Sequence, residues 1–137
     1  MTKFIFMILF VSAFFNANAS HIPGGVITYQ YIGLNQYVVT LSLYEQCGGV
    51  VSELSTPKTI SVTDSCTNTV QSFSLNNIVF AQEVSDICPS SSDSSACSIG
   101  NIPGFYLHQW QSTITLNTSS CAVWNFSYTL CCRNEVE

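Results

Sequence analysis

Apolar and polar positions alternate from Trp124 to Cys132 without a slip. Trp124, Phe126, Tyr128, Leu130 and Cys132 fall on one side, with Val123, Asn125, Ser127, Thr129 and Cys131 on the other. Side chains alternate faces along a strand, so this stretch predicts a half-buried β-strand with an aromatic inner face. The same period recurs upstream. Ile27, Tyr29 and Tyr31 share one face of a strand over Val26 to Ile32, and Tyr37, Val39, Leu41 and Leu43 share one face of a strand over Tyr37 to Glu45. Gly33-Leu34-Asn35-Gln36 between them contains two residue types that accept positive φ, so the pair reads as a hairpin. Cys47 continues the parity of Leu43 and is placed at the rim of the core.

Further along, Lys58 to Thr63 and Thr69 to Leu75 are two strands joined by a turn over Asp64 to Asn68. Pro57 argues against central pairing for residues 50–57. Ile78 to Val84 fits either a strand or one helical turn, because its periodicity does not decide. Phe105 to Leu116 is a long strand with Tyr106, Trp110, Ile114 and Leu116 on one face, and His108 on the same parity. Six or seven short strands with turn signals between them, and no sustained helical period, predict an all-β fold. The expected architecture is an antiparallel Ig-like β-sandwich.

The amino terminus reads as an export signal rather than structure. Lys3 supplies a basic start, Phe4 to Phe15 an apolar stretch short for a bilayer span, and Ala17-Asn18-Ala19 a cleavage site. The expected organisation is a signal peptide over 1–19 and one β-sandwich domain over 20–137. The mature chain is therefore expected to be secreted, with no membrane insertion. Past the signal only Lys58 and Arg133 are basic, against eight acids, and the net charge of the chain is −5. Gripping a phosphate backbone takes clustered Lys and Arg, so nucleic acid is not an expected partner.

All seven cysteines lie in the mature part: Cys47, Cys66, Cys88, Cys97, Cys121, Cys131 and Cys132. In an exported chain they predict a disulfide framework, with one left over. Adjacent Cys131 and Cys132 point to opposite faces of their strand and call for separate partners. Cys88 and Cys97 flank the loop Cys88 to Cys97 and form the expected local pair, and Cys47 is assigned to Cys131 or Cys132. The serine run in that loop buries no apolar area. Ser90, Ser91, Ser92, Asp93, Ser94 and Ser95 are the expected contact region.

Chemistry finds little footing. The candidate imidazole bases are His21, beside the mature terminus, and His108, read as a sheet residue whose polar tip is wet or hydrogen-bonded. No Gly-x-Ser-x-Gly elbow occurs. Glu45, Glu53, Asp64, Glu83 and Asp86 are scattered and read as solvated acids rather than a glycosidase pair. Asp64, Asp86 and Asp93 lack the spacing of a calcium loop, and no cysteine–histidine spacing suits zinc. No catalytic, cofactor or metal residue is assigned. Asn117-Thr-Ser and Asn125-Phe-Ser match the glycosylation sequon.

Several segments together carry a resemblance. They are Ala19-Ser-His21-Ile-Pro-Gly24-Gly25-Val-Ile-Thr28-Tyr29, Tyr31-Ile-Gly33, Leu41-Ser-Leu43-Tyr44, Cys47-Gly48, Ile87-Cys88-Pro89, Ser95-Ala-Cys97 and Trp124-Asn-Phe126-Ser-Tyr128 with Cys131-Cys132-Arg133-Asn134. In this order the chain resembles the N-terminal region of large Bacteroidota cell-surface proteins that carry gliding-motility-associated or PKD-like repeats and are exported by type IX secretion. The resemblance implies a non-enzymatic, adhesin-like module at the cell surface, whose partners are other surface proteins or glycans. It also implies the remainder of a larger polypeptide, with the domain truncated at its C-terminal end. The reading from a different class is a freestanding secreted carbohydrate-binding β-sandwich.

Overall fold

The computed structural model describes residues 22–48, 54, 56–88, 93–116 and 123–130. The signal over 1–19, His21, Glu53, Ser90 to Ser92, Asn117, Cys121, Cys131 and Cys132 lie outside the described residues. Six strands run through those described: β1 Gly24–Gly33, β2 Gln36–Gln46, β3 Lys58–Asp64, β4 Val70–Glu83, β5 Phe105–Thr115 and β6 Trp124–Ser127. They make one antiparallel sheet in the order β1-β2-β5-β4-β3-β6, curled nearly into a barrel. The expected all-β antiparallel class holds.

The β1–β2 hairpin turns on Leu34 and Asn35, with φ of 50° and 59°. Positive φ at both central residues suits the right-handed twist of the flanking strands. Asn tolerates this conformation, whereas a leucine there costs about 1–2 kcal/mol. Leu34 is 88% exposed and gains no packing to offset that cost.

The centre of the sheet is the β2–β5 ladder, which runs from Gln36 opposite Thr115 to Gln46 opposite Phe105. Its inner side places Leu41 opposite Trp110 and Leu43 opposite His108. Its outer side is a neutral polar ladder, in which Gln109 Nε2 donates to Ser42 Oγ and Gln111 Nε2 to Thr40 Oγ1, both at 2.9 Å. Cross-strand pairs of this kind fix register.

The turn after β3 is built by Asp64. Its Oδ1 accepts the N–H of Cys66 at 2.8 Å and of Thr67 at 3.3 Å, and Asn68 sits at φ 57°. Asp64 is buried, which corrects its reading as a solvated acid. β4 then pairs with β3 through Val70–Leu75 and with β5 through Asn76–Glu83. The segments read as a strand over Thr69 to Leu75 and an undecided one over Ile78 to Val84 are thus one continuous strand. Two bulges, between Asn77 and Val79 and between Val79 and Gln82, each insert one extra residue against β5. A bulge bends and twists its strand, which carries β4 around the curl of the sheet.

Val39, Leu41, Ile60, Val62, Leu75 and Trp110 are fully buried between the walls, and Trp124, Phe126, Tyr128 and Leu130 pack against them. Each buried aliphatic side chain contributes about 1.5–3 kcal/mol. The alternation of inner and outer residues runs from Val123 through Leu130 as expected, although ladder pairing with β3 covers only Trp124–Ser127. Trp110 Nε1 donates to Thr56 O at 3.0 Å. Lys58, a buried cation, places Nζ 5.5 Å from the Trp110 ring centroid while donating to Thr56 Oγ1 at 3.2 Å. Its aliphatic stem covers the core and its charge meets the electron-rich ring face.

The disulfide joins Cys47 to Cys97, with Cα atoms 4.8 Å apart. Both expected pairings, Cys88 with Cys97 and Cys47 with Cys131 or Cys132, are corrected by it. The reason is register. Because Gln46 opposes Phe105, the end of β2 abuts the loop entering β5, and Cys47 N donates to Gly104 O at 2.9 Å. Cys97 hangs beside that same glycine. A Cβ on Gly104 would stand 2.6 Å from Cys97 Sγ and 2.5 Å from Ser95 Oγ, so only glycine fits there. Cys88 is a free, exposed thiol. Cys66 is also disulfide-bonded, its other half lying outside the described residues.

The Cys47–Cys97 bond spans a sequence separation of 50 residues. Replacing both cysteines by serine should lower unfolding free energy by about 4 kcal/mol in the chain-entropy model, read by urea titration. Leu34→Asn should raise it by about 0.5–1 kcal/mol, since asparagine accepts the turn conformation that leucine resists.

Candidate functional site: the aromatic end of the hairpin

The far end of the β1–β2 hairpin gathers aromatic rings. Residues of β1 at odd positions share the inner side with Val39, Leu41 and Leu43, their partners on β2. At the Gly24 end this places Ile27 against the core. At the Gly33 end the wall is open, and Tyr29 and Tyr31 remain 63% and 59% exposed. Tyr29 stacks on Phe126 of β6 with ring centroids 5.1 Å apart and planes 11° from parallel. Tyr37 meets Tyr29 edge-on at 6.2 Å and Tyr31 at 5.3 Å. Such pairs are worth about 0.5–1.5 kcal/mol each beyond their buried area.

This patch exists because β1 and β6 are the two ends of the sheet order, brought together by its curl. Across the same seam, Gly24 to Ile27 face Tyr128 to Leu130 over a groove of about 370 Å³ floored by Leu41 and Leu43. The sequence assigned Tyr29 and Tyr31 to an inner face, and the parity is right. It carried no signal that the inner face opens to solvent at this end.

The second cluster surrounds His108, which is 1% exposed. Ala81, at φ 51° in the second bulge of β4, aims its N–H at His108 Nδ1 at 3.3 Å. A nitrogen that accepts a backbone N–H bears no proton, so the ring proton sits on Nε2 and is donated to Glu45 Oε2 at 2.8 Å. The ring lies between Phe80, edge-on at 5.0 Å, and Trp110, near-parallel at 6.1 Å. Both nitrogens are engaged, as the hydrogen-bonded reading of His108 expected. Glu45 is half-buried on this bond, which corrects its reading as a solvated acid.

The contact loop read from the serine run divides. Ser95 is fully buried, with its Oγ accepting Cys97 N–H at 3.1 Å and its carbonyl accepting the N–H groups of Ser98 and Gly100 at 3.0 Å. Ser94 is half-buried, its carbonyl accepting Ile102 N–H at 2.9 Å. The disulfide draws this half of the loop inward, which corrects the expectation for Ser95. Asp93 is exposed. Tyr106, which shares the inner face of β5, donates its hydroxyl to Cys97 O at 3.0 Å and braces the loop further.

Glu83 and Asp86 are exposed, and Glu83 accepts from Ser85 Oγ at 2.9 Å. Among the described residues no cluster of three or more His, Cys, Asp or Glu side chains is arranged to hold a metal ion. No protein-family model, curated protein or solved structure matches this chain.

Glu45→Leu should lower stability by about 1–3 kcal/mol, because it buries the His108 Nε2–H without an acceptor. Glu45→Gln keeps an acceptor oxygen and should recover more than half of that loss, measured by the same urea midpoint on both variants.

Proposed function

We propose that the chain is a non-enzymatic extracellular module of adhesin type, the N-terminal part of a larger secreted cell-surface protein, and that it makes contact through the open aromatic end of the β1–β2 hairpin. One observation carries the reading. Leu34, the most exposed large apolar residue of that end, is held in a backbone conformation that selection for stability alone would discard. Beside it stand two exposed tyrosines, braced from behind by Tyr37 and Phe126. Aromatic anchors on a charge-free surface are the usual currency of recognition.

The absence of turnover is supported by His108, whose two ring nitrogens are both engaged within the sheet. The scaffold we read as an Ig-like sandwich drawn into a barrel by β4, which serves one wall with its first half and the other with its second, and stapled by more than one disulfide. The surface location and the Bacteroidota, gliding and type IX export reading rest on the segment resemblance described from the sequence.

The test uses cells displaying the protein in its natural full-length context. Tyr29→Ala, Tyr31→Ala and Leu34→Asn combined should cut attachment to a surface that the wild-type cells colonise by at least about tenfold, a change of 1.4 kcal/mol per contact unit. Unchanged attachment at equal surface display would refute the hairpin end as the contact.

A further inference from the structure

Resting on that reading, we propose that Tyr29 and Tyr31 form a stacking site for a neutral saccharide chain. The two rings occupy alternate positions on one face of β1. Alternate residues of a strand lie about 6.6–6.8 Å apart, comparable with the footprint of one hexose. Tyr29 has one face covered by Phe126, while the residue as a whole stays 63% exposed, so the opposite face is open to a ligand. Tyr31 meets Tyr37 at a tilt of 53° and stays 59% exposed. The rings are therefore held before any ligand arrives, which reduces the entropy lost on binding.

The chemistry around them is uncharged. From Ile22 to Tyr44 the chain contains no Asp, Glu, Lys, Arg or His, and β6 contains none either. Among the described residues of β1, of β2 up to Tyr44 and of β6, a sulfated or phosphorylated ligand would find no cation, and a basic peptide no anion. The available groups are two phenol hydroxyls and the amides of Asn35 and Gln36 at the turn. Apolar ring faces flanked by neutral hydrogen-bonding groups match a pyranose, which presents C–H groups on its faces and hydroxyls around its rim.

The experiment titrates the purified exported chain with cellohexaose, laminarihexaose and mannohexaose by calorimetry, with a heparin hexasaccharide as the anionic control. At least one neutral hexasaccharide should bind. Tyr29→Ala and Tyr31→Ala should each weaken it by roughly tenfold, the size of one lost aromatic contact. Tyr29→Phe, which keeps the stack on Phe126, should bind within about threefold of wild type and shows that the fold is intact. Ile99→Asn, an exposed position outside the hairpin, should leave affinity within about twofold. The inference is overturned if all three neutral chains fail to bind, if heparin binds in preference, or if binding survives removal of both rings. Attachment that needs the tyrosines without any saccharide binding would sink this inference and spare the contact reading. Ring-dependent saccharide binding with unaltered attachment would do the reverse.

Discussion

β4 hands its hydrogen bonds from β3 to β5 midway along its length, and the two bulges that follow let one strand face two directions. Without that change of neighbour the sheet would be two separate pieces. With it, β1 and β6, which stand at opposite ends of the strand order, come within stacking distance at Tyr29 and Phe126. The second bulge also turns the N–H of Ala81 onto His108, so the same irregularity that bends the wall satisfies its buried imidazole. Burial of an imidazole without partners for both nitrogens would be costly, and here the backbone provides one partner and Glu45 the other.

Where a strand is regular, its parity was legible from residue type alone. Tyr37 to Leu43, Phe105 to Leu116 and Val123 to Leu130 show inner and outer faces as their alternation predicts. The turn at Asp64 to Asn68 was legible because Asp and Asn have specific backbone uses there. β4 failed as a period-two pattern for a physical reason. Each bulge adds a residue and flips the parity after it, so Ile78, Val79 and Phe80 form no consistent face. The disulfide failed for another reason. Pairing was inferred from closeness in sequence, whereas Cys47 and Cys97 are neighbours only through the β2–β5 register.

The aromatic site was half legible. Tyr29, Tyr31 and Tyr37 were seen as a face, but whether a face ends in the core or at an opening depends on how the ends of the sheet meet. That is a property of the closed shape, not of any local segment. Leu34 could not be singled out either. A glycine and an asparagine near the turn predicted positive φ somewhere, and the structure gives it to Gly33, Leu34 and Asn35 alike.

Lys58 and Asp64 are charged residues spent in the interior, and Glu45 is engaged with His108. The outer surface of the hairpin is left electrically blank over its whole length. Screening by dissolved salt acts on charges and decays over about 8 Å at physiological ionic strength. Among the described residues, an association made at this end of the molecule has no charge for salt to screen. It would not weaken through screening as salt rises, and its rate would gain nothing from electrostatic steering.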